Sequence, residues 1–213
     1  MKTSLEKTKN SERVILFTRY PEPGKVKTRL VPALGPEGSC ALHRQMTEGT
    51  VKQLQKLFFL RPVSIEIRYD GGNQGLMQEW LGSDWHFSTQ GPDPLGLRLE
   101  RAFQEAFQAG FHRVVLIGSD CPGLTRLLLE KALNHLAHHD LVLGPARDGG
   151  YYLIGMGRIL RPLFVDIPWG TETVCHKTLE IAREMGLNVV LLETLDDIDR
   201  PEDLCLWEQG KDL

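Results

Sequence analysis

Short apolar runs and longer amphipathic stretches alternate along most of this chain, a pattern that predicts strands followed by helices. Residues 13–18 (RVILFT) read as a buried first strand. Two prolines and a glycine in residues 19–25 (RYPEPGK) then exclude regular structure. A helix is predicted from Pro36, a residue suited to a first helical turn, to about Leu57. Leu42, Met46, Val51 and Leu54 form its apolar face, and Gly49 weakens its middle. Residues 63–69 alternate as a second strand, closed by Asp70-Gly71-Gly72. Residues 73–80 read as a short helix and 85–89 as a short strand. Residues 95–109 carry a helical stripe of Leu95, Leu99, Ala102, Phe103, Ala106 and Phe107, with Gly110 as its stop.

The second half continues the alternation. The run Val114-Val115-Leu116-Ile117 is a strand that stops at Gly118-Ser119-Asp120-Cys121-Pro122. A helix over 124–138 follows, then a strand at 140–143, a loop at 144–150 and a strand at 151–156. The last elements are a helix at 171–185, a strand at 188–192, an acidic loop at 196–199 and a helix at 201–207. Pro201 sits in that helix's first turn, and Glu202 and Asp203 suit its positive end. The alternation implies an α/β protein, a three-layer α/β/α sandwich with a mainly parallel central sheet. The helix-free passage at 140–167 implies an antiparallel insertion. Residues 1–12 read as a flexible lead-in and 13–213 as one domain.

With 213 residues, 41% of them hydrophobic and 25% charged, the chain can bury a sizeable core. A net charge of −3 argues against a general nucleic-acid binder. Cys40, Cys121, Cys175 and Cys205 are dispersed without a CxxC pair, which suits reduced thiols and excludes a zinc motif. The first twelve residues lack an apolar segment, so no signal peptide is expected. No apolar run approaches the ~20 residues of a membrane span. The expected setting is cytoplasmic, with neither a nucleic-acid polymer nor a membrane as partner; the pattern assigns no oligomeric state.

Four segments could carry chemistry. In an open α/β sheet, ligands bind outside the carboxyl ends of strands, which is where Asp120 falls, with Ser119 beside it. Its alternative role is a helix N-cap. Lys25, Lys27 and Arg29 place three cations in the loop after the first strand, beside Arg19 and Gly24. Such a loop can neutralise a diphosphate or triphosphate, although it lacks P-loop spacing and could be a solvated turn. The run Leu195–Leu204 supplies carboxylates, Asp199 among them, of the kind Mg²⁺ and Mn²⁺ prefer; Asp199 could equally cap the last helix. In residues 144–152 (GPARDGGYY), Gly149 and Gly150 would let backbone approach a ligand, and Asp148 could act as a base. A plain Asp-Gly hairpin turn is the alternative. Tyr151 closes that segment, and Trp169 in Pro168-Trp169-Gly170-Thr171 could stack on a sugar or base, or simply pack.

In order, FTRYPEPGKVKTRL, LIGSDCPGL, LGPARDGGYYLIGM, IPWGT and DDIDRPEDL resemble the bacterial transferases of the nucleotide-diphospho-sugar transferase (GT-A-like, Rossmann-like) fold. Many members carry glycosyltransferase labels, some in an arsenosugar context. The resemblance covers roughly residues 13–207. It implies that Asp120 and Asp199 bind Mg²⁺ or Mn²⁺ at the nucleotide phosphates, and that the run from Lys25 to Arg29 handles phosphate. One segment departs: where the family carries Gln-x-x-Gly-Asp-Leu-Gly, this chain reads Gln90-Gly91-Pro92-Asp93-Pro94-Leu95-Gly96. Pro94 thereby removes a carboxylate from any base or ribose contact there. The expected activity is metal-dependent transfer from a nucleotide sugar to a small-molecule acceptor, with Asp120 and Asp148 as catalytic residues. The alternatives are a nucleotidyltransferase that uses a nucleoside triphosphate and releases pyrophosphate, and a non-catalytic nucleotide-binding module.

Overall fold

A computed structural model describes residues 11–209. The lead-in reading falls on residues 1–10, outside the described residues, on Ser11, and on Glu12, where the first strand begins. Seven strands form one sheet in the order β3-β2-β1-β4-β6-β5-β7. They are β1 (Glu12–Arg19), β2 (Ser64–Asp70), β3 (His86–Thr89), β4 (Arg113–Ile117), β5 (Leu141–Pro145), β6 (Tyr151–Met156) and β7 (Val189–Leu191). The pairs β1/β2, β1/β4, β2/β3 and β5/β7 are parallel, whereas β6 runs antiparallel to both β4 and β5. The predicted antiparallel insertion is therefore a single strand wedged between two that run the other way.

The helices are α1 (Val31–Leu60), α2 (Gln74–Leu81), α3 (Leu95–Gln108), α4 (Arg126–His135), α5 (Val174–Glu184) and α6 (Leu204–Gln209). Strand side chains alternate between two cores. Val14 and Leu16 face Val51, Leu54 and Leu57 of α1, Met77 of α2 and Leu129 of α4. Ile15 and Phe17 face Leu99 and Phe103 of α3 and Ala182 of α5. Three layers result, as the periodicity predicts.

Helix boundaries depart from prediction where local chemistry intervenes. The backbone turns out of helical geometry at Gly35 (φ 70°, ψ 170°), so a short turn precedes the helix that Pro36 opens. The fourth helix begins late because Thr125 accepts from the Leu128 amide as its N-cap. That leaves Asp120 uncapped and available. The fifth also begins late, since Thr171 bonds back to the Pro168 carbonyl and holds that stretch in a turn.

The chain winds in one direction from β1 through β2 to β3 and in the other through β4. A crevice therefore opens between the carboxyl ends of β1 and β4. Behind it, a buried ionic network ties β1 to β2. Glu66, 1% exposed, accepts from Arg13 (2.8 Å), Arg68 (2.6 Å) and Ser88 (2.6 Å). Removing one member of a closed buried network strands the remaining charges without water. Glu66→Ala is expected to lower unfolding free energy by about 3–5 kcal/mol, measured by urea denaturation.

Candidate active site

A cavity of about 570 Å³ lies across the carboxyl ends of β1 and β4 and the start of β6. Of the residues the sequence singles out, it is lined by Arg19, Lys27, Ser119, Asp120, Asp148, Gly150, Tyr151, Trp169 and Asp199. Phe17, Leu99, Leu116 and Ile154 give it an apolar wall. A second cavity, of about 900 Å³, adjoins it and shares Asp148, Gly170, Thr171 and Asp199; Arg29, Gly149, Arg147 and Arg200 line it too.

Asp120 and Asp199 converge on one cation. The Lys27 ammonium lies 2.7 Å from Asp120 Oδ1 and 3.9 Å from Asp199 Oδ1, and it donates to the Ile198 carbonyl. Arg29 holds the other oxygen of Asp199 at 2.6 Å. The Ile198 amide in turn donates to the Asp120 carbonyl at 3.0 Å, which stitches the C-terminal segment to the end of β4. Burial works to raise the Asp120 carboxyl, but the Lys27 ammonium, with His43 and Arg19 beyond it, prevails and holds it below the usual carboxylate range. Asp199 is no N-cap: the Asp203 carboxylate receives the amides of Asp199 (3.0 Å) and Arg200 (2.7 Å).

The three-cation loop divides into three environments. Lys27 is buried at the carboxylates, Arg29 faces the second cavity, and Lys25 pairs with Glu22 at 2.5 Å on the surface. Lys25 and Gly24 line neither cavity. The glycine pair also behaves differently from expectation. A Cβ on Gly149 (φ +89°) would collide with the Glu172 backbone, and the Gly149 carbonyl accepts from the Cys175 amide. Its close approach is to the start of α5, which locks the β5–β6 hairpin in place. Asp148 Oδ1 accepts the Gly150 amide at 2.8 Å, so its carboxylate shapes the turn while still lining both cavities. Trp169 stands edge-on to Tyr151 (6.2 Å, 82°) and packs over Gly96, where an added Cβ would lie 2.6 Å from its indole nitrogen. Cys121 is buried with its thiol pushed well up, which keeps it a thiol and removes it as a nucleophile.

Sequence reasoning missed Gln90, Asp93, Arg98 and His43 as lining residues. Gln90 donates to the carbonyls of Thr18 (2.9 Å) and Arg68 (3.1 Å) and accepts from Arg98 at 3.3 Å, so it braces the ends of β1 and β2. Asp93 supplies a carboxylate one residue before the proline that replaces the family's Asp. Its hydrogen bond to Arg101 holds it below the usual range. His43, 5% exposed on α1, bonds the Arg19 carbonyl at 3.0 Å through Nε2. That bond requires Nε2 to carry the proton. The available signal was a single His between Leu42 and Met46 on an apolar helix face.

A divalent cation is implied by the fold resemblance, and the donor set suits one. Two hard carboxylates from separate segments already share a cationic position. Among the described residues, no three His, Cys, Asp or Glu side chains form a metal-holding group. The protein therefore offers two anionic donors, and further ligands would be substrate or water oxygens.

Burial lowers the His43 pKa below 6.5, outweighing the Arg19 carbonyl and Asp120, which favour the charged form. The unfolded chain therefore takes up this proton more readily than the folded one. Stability from neutral His43 is complete above pH 6.5 and is lost as pH falls through the folded-state pKa. An NMR titration is expected to place the His43 midpoint below 6.5, and His43→Gln should lose less stability on acidification than the wild type.

The 3-phospho-D-glycerate guanylyltransferase of Phenylobacterium zucineum (strain HLK1) is 35% identical over 130 residues, 56% of this chain and 56% of that protein. The 2-phospho-L-lactate guanylyltransferase of Methanothermobacter thermautotrophicus is 30% identical over 97 residues, 44% of this chain and 41% of that protein. The chain thus spans about half the length of the curated relatives it matches. A solved structure from Desulfovibrio desulfuricans G20, assigned to the nucleotide-diphospho-sugar transferases, superposes with a TM-score of 0.88 at 36% identity. That alignment covers 95% of this chain and 88% of the other, and the fold is accordingly of the GT-A-like kind that the motifs imply. Residues 53–171 match the model of a family described as "Uncharacterized protein conserved in bacteria (DUF2064)", and the chain belongs to that family.

Proposed function

We propose that this chain is a nucleotidyltransferase that moves a nucleoside monophosphate from a nucleoside triphosphate to a small phosphorylated acid. The observation that carries this reading is the junction of Lys27, Asp120, Asp199 and Arg29 at the strand ends, beside a cavity in the size range of nucleotide pockets. Phosphoryl chemistry leaves little for a protein to do except position groups and neutralise charge, and this site is built for both.

An oxygen of the acceptor phosphate attacks the α-phosphorus. A P–O bond forms there as the bond to the bridging oxygen of the β-phosphate breaks, and pyrophosphate departs with the electron pair. A phosphate monoester is largely ionised near neutral pH, with a second pKa of about 6, so its attacking oxygen needs no general base. On this reading Asp148, which accepts the Gly150 amide and lines both cavities, positions the β5–β6 turn and the ligands beside it, and the reaction does not require it to take a proton. Lys27, Arg19 and the Asp199-bound Arg29 suit the triphosphate, while Arg147 and Arg200 of the second cavity suit the acceptor's anionic groups. Asp120 and Asp199 would hold Mg²⁺ or Mn²⁺, which when bound supplies Lewis-acid neutralisation of phosphate charge.

This reading displaces glycosyl transfer from a nucleotide sugar. A hydroxyl acceptor would call for a base, whereas a phosphate acceptor does not, and the curated relatives are named for guanylyl transfer to phosphorylated acids. The names of the two curated relatives support guanine as the base and a phosphorylated hydroxy acid as the acceptor. The binding-only alternative drew on the altered segment at residues 92–94, yet Asp93 and Pro94 both line the cavity.

With Mg²⁺, GTP and 3-phosphoglycerate or 2-phospholactate, pyrophosphate and nucleotidylated acid are expected in equal amounts by coupled assay and chromatography. Release of nucleoside diphosphate from a nucleotide sugar, without pyrophosphate from GTP, would return the assignment to glycosyl transfer. Asp120→Asn is expected to lower kcat by about a hundredfold or more. Its unfolding midpoint is expected to fall, because the buried Lys27 ammonium loses its nearest carboxylate, so circular dichroism confirms a folded variant before kcat is read.

A further inference from the structure

The Lys27 ammonium stands where a cation shared by Asp120 and Asp199 would sit. Its backbone is left-handed (φ 47°, ψ 43°), a conformation that among the described non-glycine residues recurs only at Asp166. Such conformations persist when the surroundings enforce them. Here they turn the side chain inward until it is 4% exposed, against Asp120 and the Ile198 carbonyl. Arg29 takes the remaining oxygen of Asp199. Each of the two carboxylates therefore has a cation partner before any ligand arrives.

We propose that Lys27 is a built-in counter-ion that excludes a divalent cation from the Asp120–Asp199 position until a nucleoside triphosphate binds. The inference rests on the reading of these carboxylates as cation holders given above. A divalent cation entering alone would meet a buried ammonium and a guanidinium at close range, each already paired with a carboxylate that would hold it. Like charges this close, partly shielded from water, repel far more strongly than on an open surface. A triphosphate brings several negative charges and offers Lys27 and Arg29 new partners, which frees both carboxylates. Arg19, His43 and Asp148 also face this cavity, but none of them lies between the two carboxylates. By linkage, nucleotide and cation must then tighten each other by the same factor.

The test uses Mn²⁺ as probe, titrated into the full chain with and without GTP. Bound ion is read by electron paramagnetic resonance, and a Mn²⁺–GTP solution is subtracted. Wild type is expected to bind Mn²⁺ at least about tenfold more tightly with GTP than without. Lys27→Met should bind Mn²⁺ without nucleotide about tenfold more tightly than wild type. The gain should vanish in Lys27→Met/Asp120→Asn, and Lys27→Arg should keep the exclusion. Wild type binding Mn²⁺ equally well with and without GTP would overturn the proposal, as would a folded Lys27→Met with no gain. Should Lys27→Met fail to fold, the wild-type arms and Lys27→Arg still decide. Should GTP fail to bind at all, by thermal shift, the nucleotidyltransferase reading falls, while the nucleotide-free comparison still tests the counter-ion.

Discussion

Ile198 has no exposed surface, and the placement of the whole site follows from where it is anchored. Its side chain completes a small apolar cluster with Leu30, Leu42 and Met46, apart from the two main cores. Its amide reaches the Asp120 carbonyl and its carbonyl receives Lys27. One buried isoleucine thus draws together the end of β4, the loop after β1 and the segment before α6. Leu195, bridged to Ala146, holds the segment at the end of β5, and the Ile198 cluster carries it the rest of the way, so that Asp199 arrives beside Asp120. The acidic run is therefore less a set of free carboxylates than a strap, fastened at Leu195 and Ile198, that carries Asp199 into position.

The opposite wall is built by steric exclusion. Because β6 runs against both neighbours, the β5–β6 turn falls at the same sheet edge as the ends of β1 and β4. The Gly149 backbone then fits against Glu172 so closely that no side chain is tolerated, and the start of α5 is pinned to the turn. Gly96 performs the same service for Trp169 on the α3 side. Two glycines fix the relation of the hairpin, α5 and the aromatic pair, and so determine the shape of the cavity.

The strands and their layering were legible because buried parallel strands must be apolar on both faces, as in residues 13–18 and 114–117, whereas the order of the strands in the sheet was not. Asp120 was legible for a related reason: a carboxylate directly after such a run has to lie at the sheet edge. The fates of Lys25, Lys27 and Arg29 were not. Alternating cations on a loop look alike in a sequence, and only the left-handed backbone at Lys27 sends one inward while Lys25 turns to Glu22. His43 escaped notice because it sits on an apolar helical face, where a histidine is more often part of the core. At Gly149 the sequence could say that some backbone comes close, but not that the start of α5 is the one that does.

Two sets of ion pairs differ in exposure, and so in what they can do. Around Glu66 and Arg68, both partners are sealed, at 1% and 2% exposure, and Glu66 accepts from Arg13, Arg68 and Ser88. A closed network of this kind has no affinity left for a ligand, and its effect is to fix β1 against β2. At the site the pairing is lopsided: the Lys27 side chain is 4% exposed, whereas the Asp120 side chain is 56% exposed. The carboxylate faces the cavity with lone pairs free, and the ammonium can exchange partners without leaving its niche. At the cavity, water still reaches the carboxylate of the pair, whereas around Glu66 it reaches neither partner of the inner pair. The same charged residue types are thus sealed against the sheet in one place and presented to an open cavity in the other.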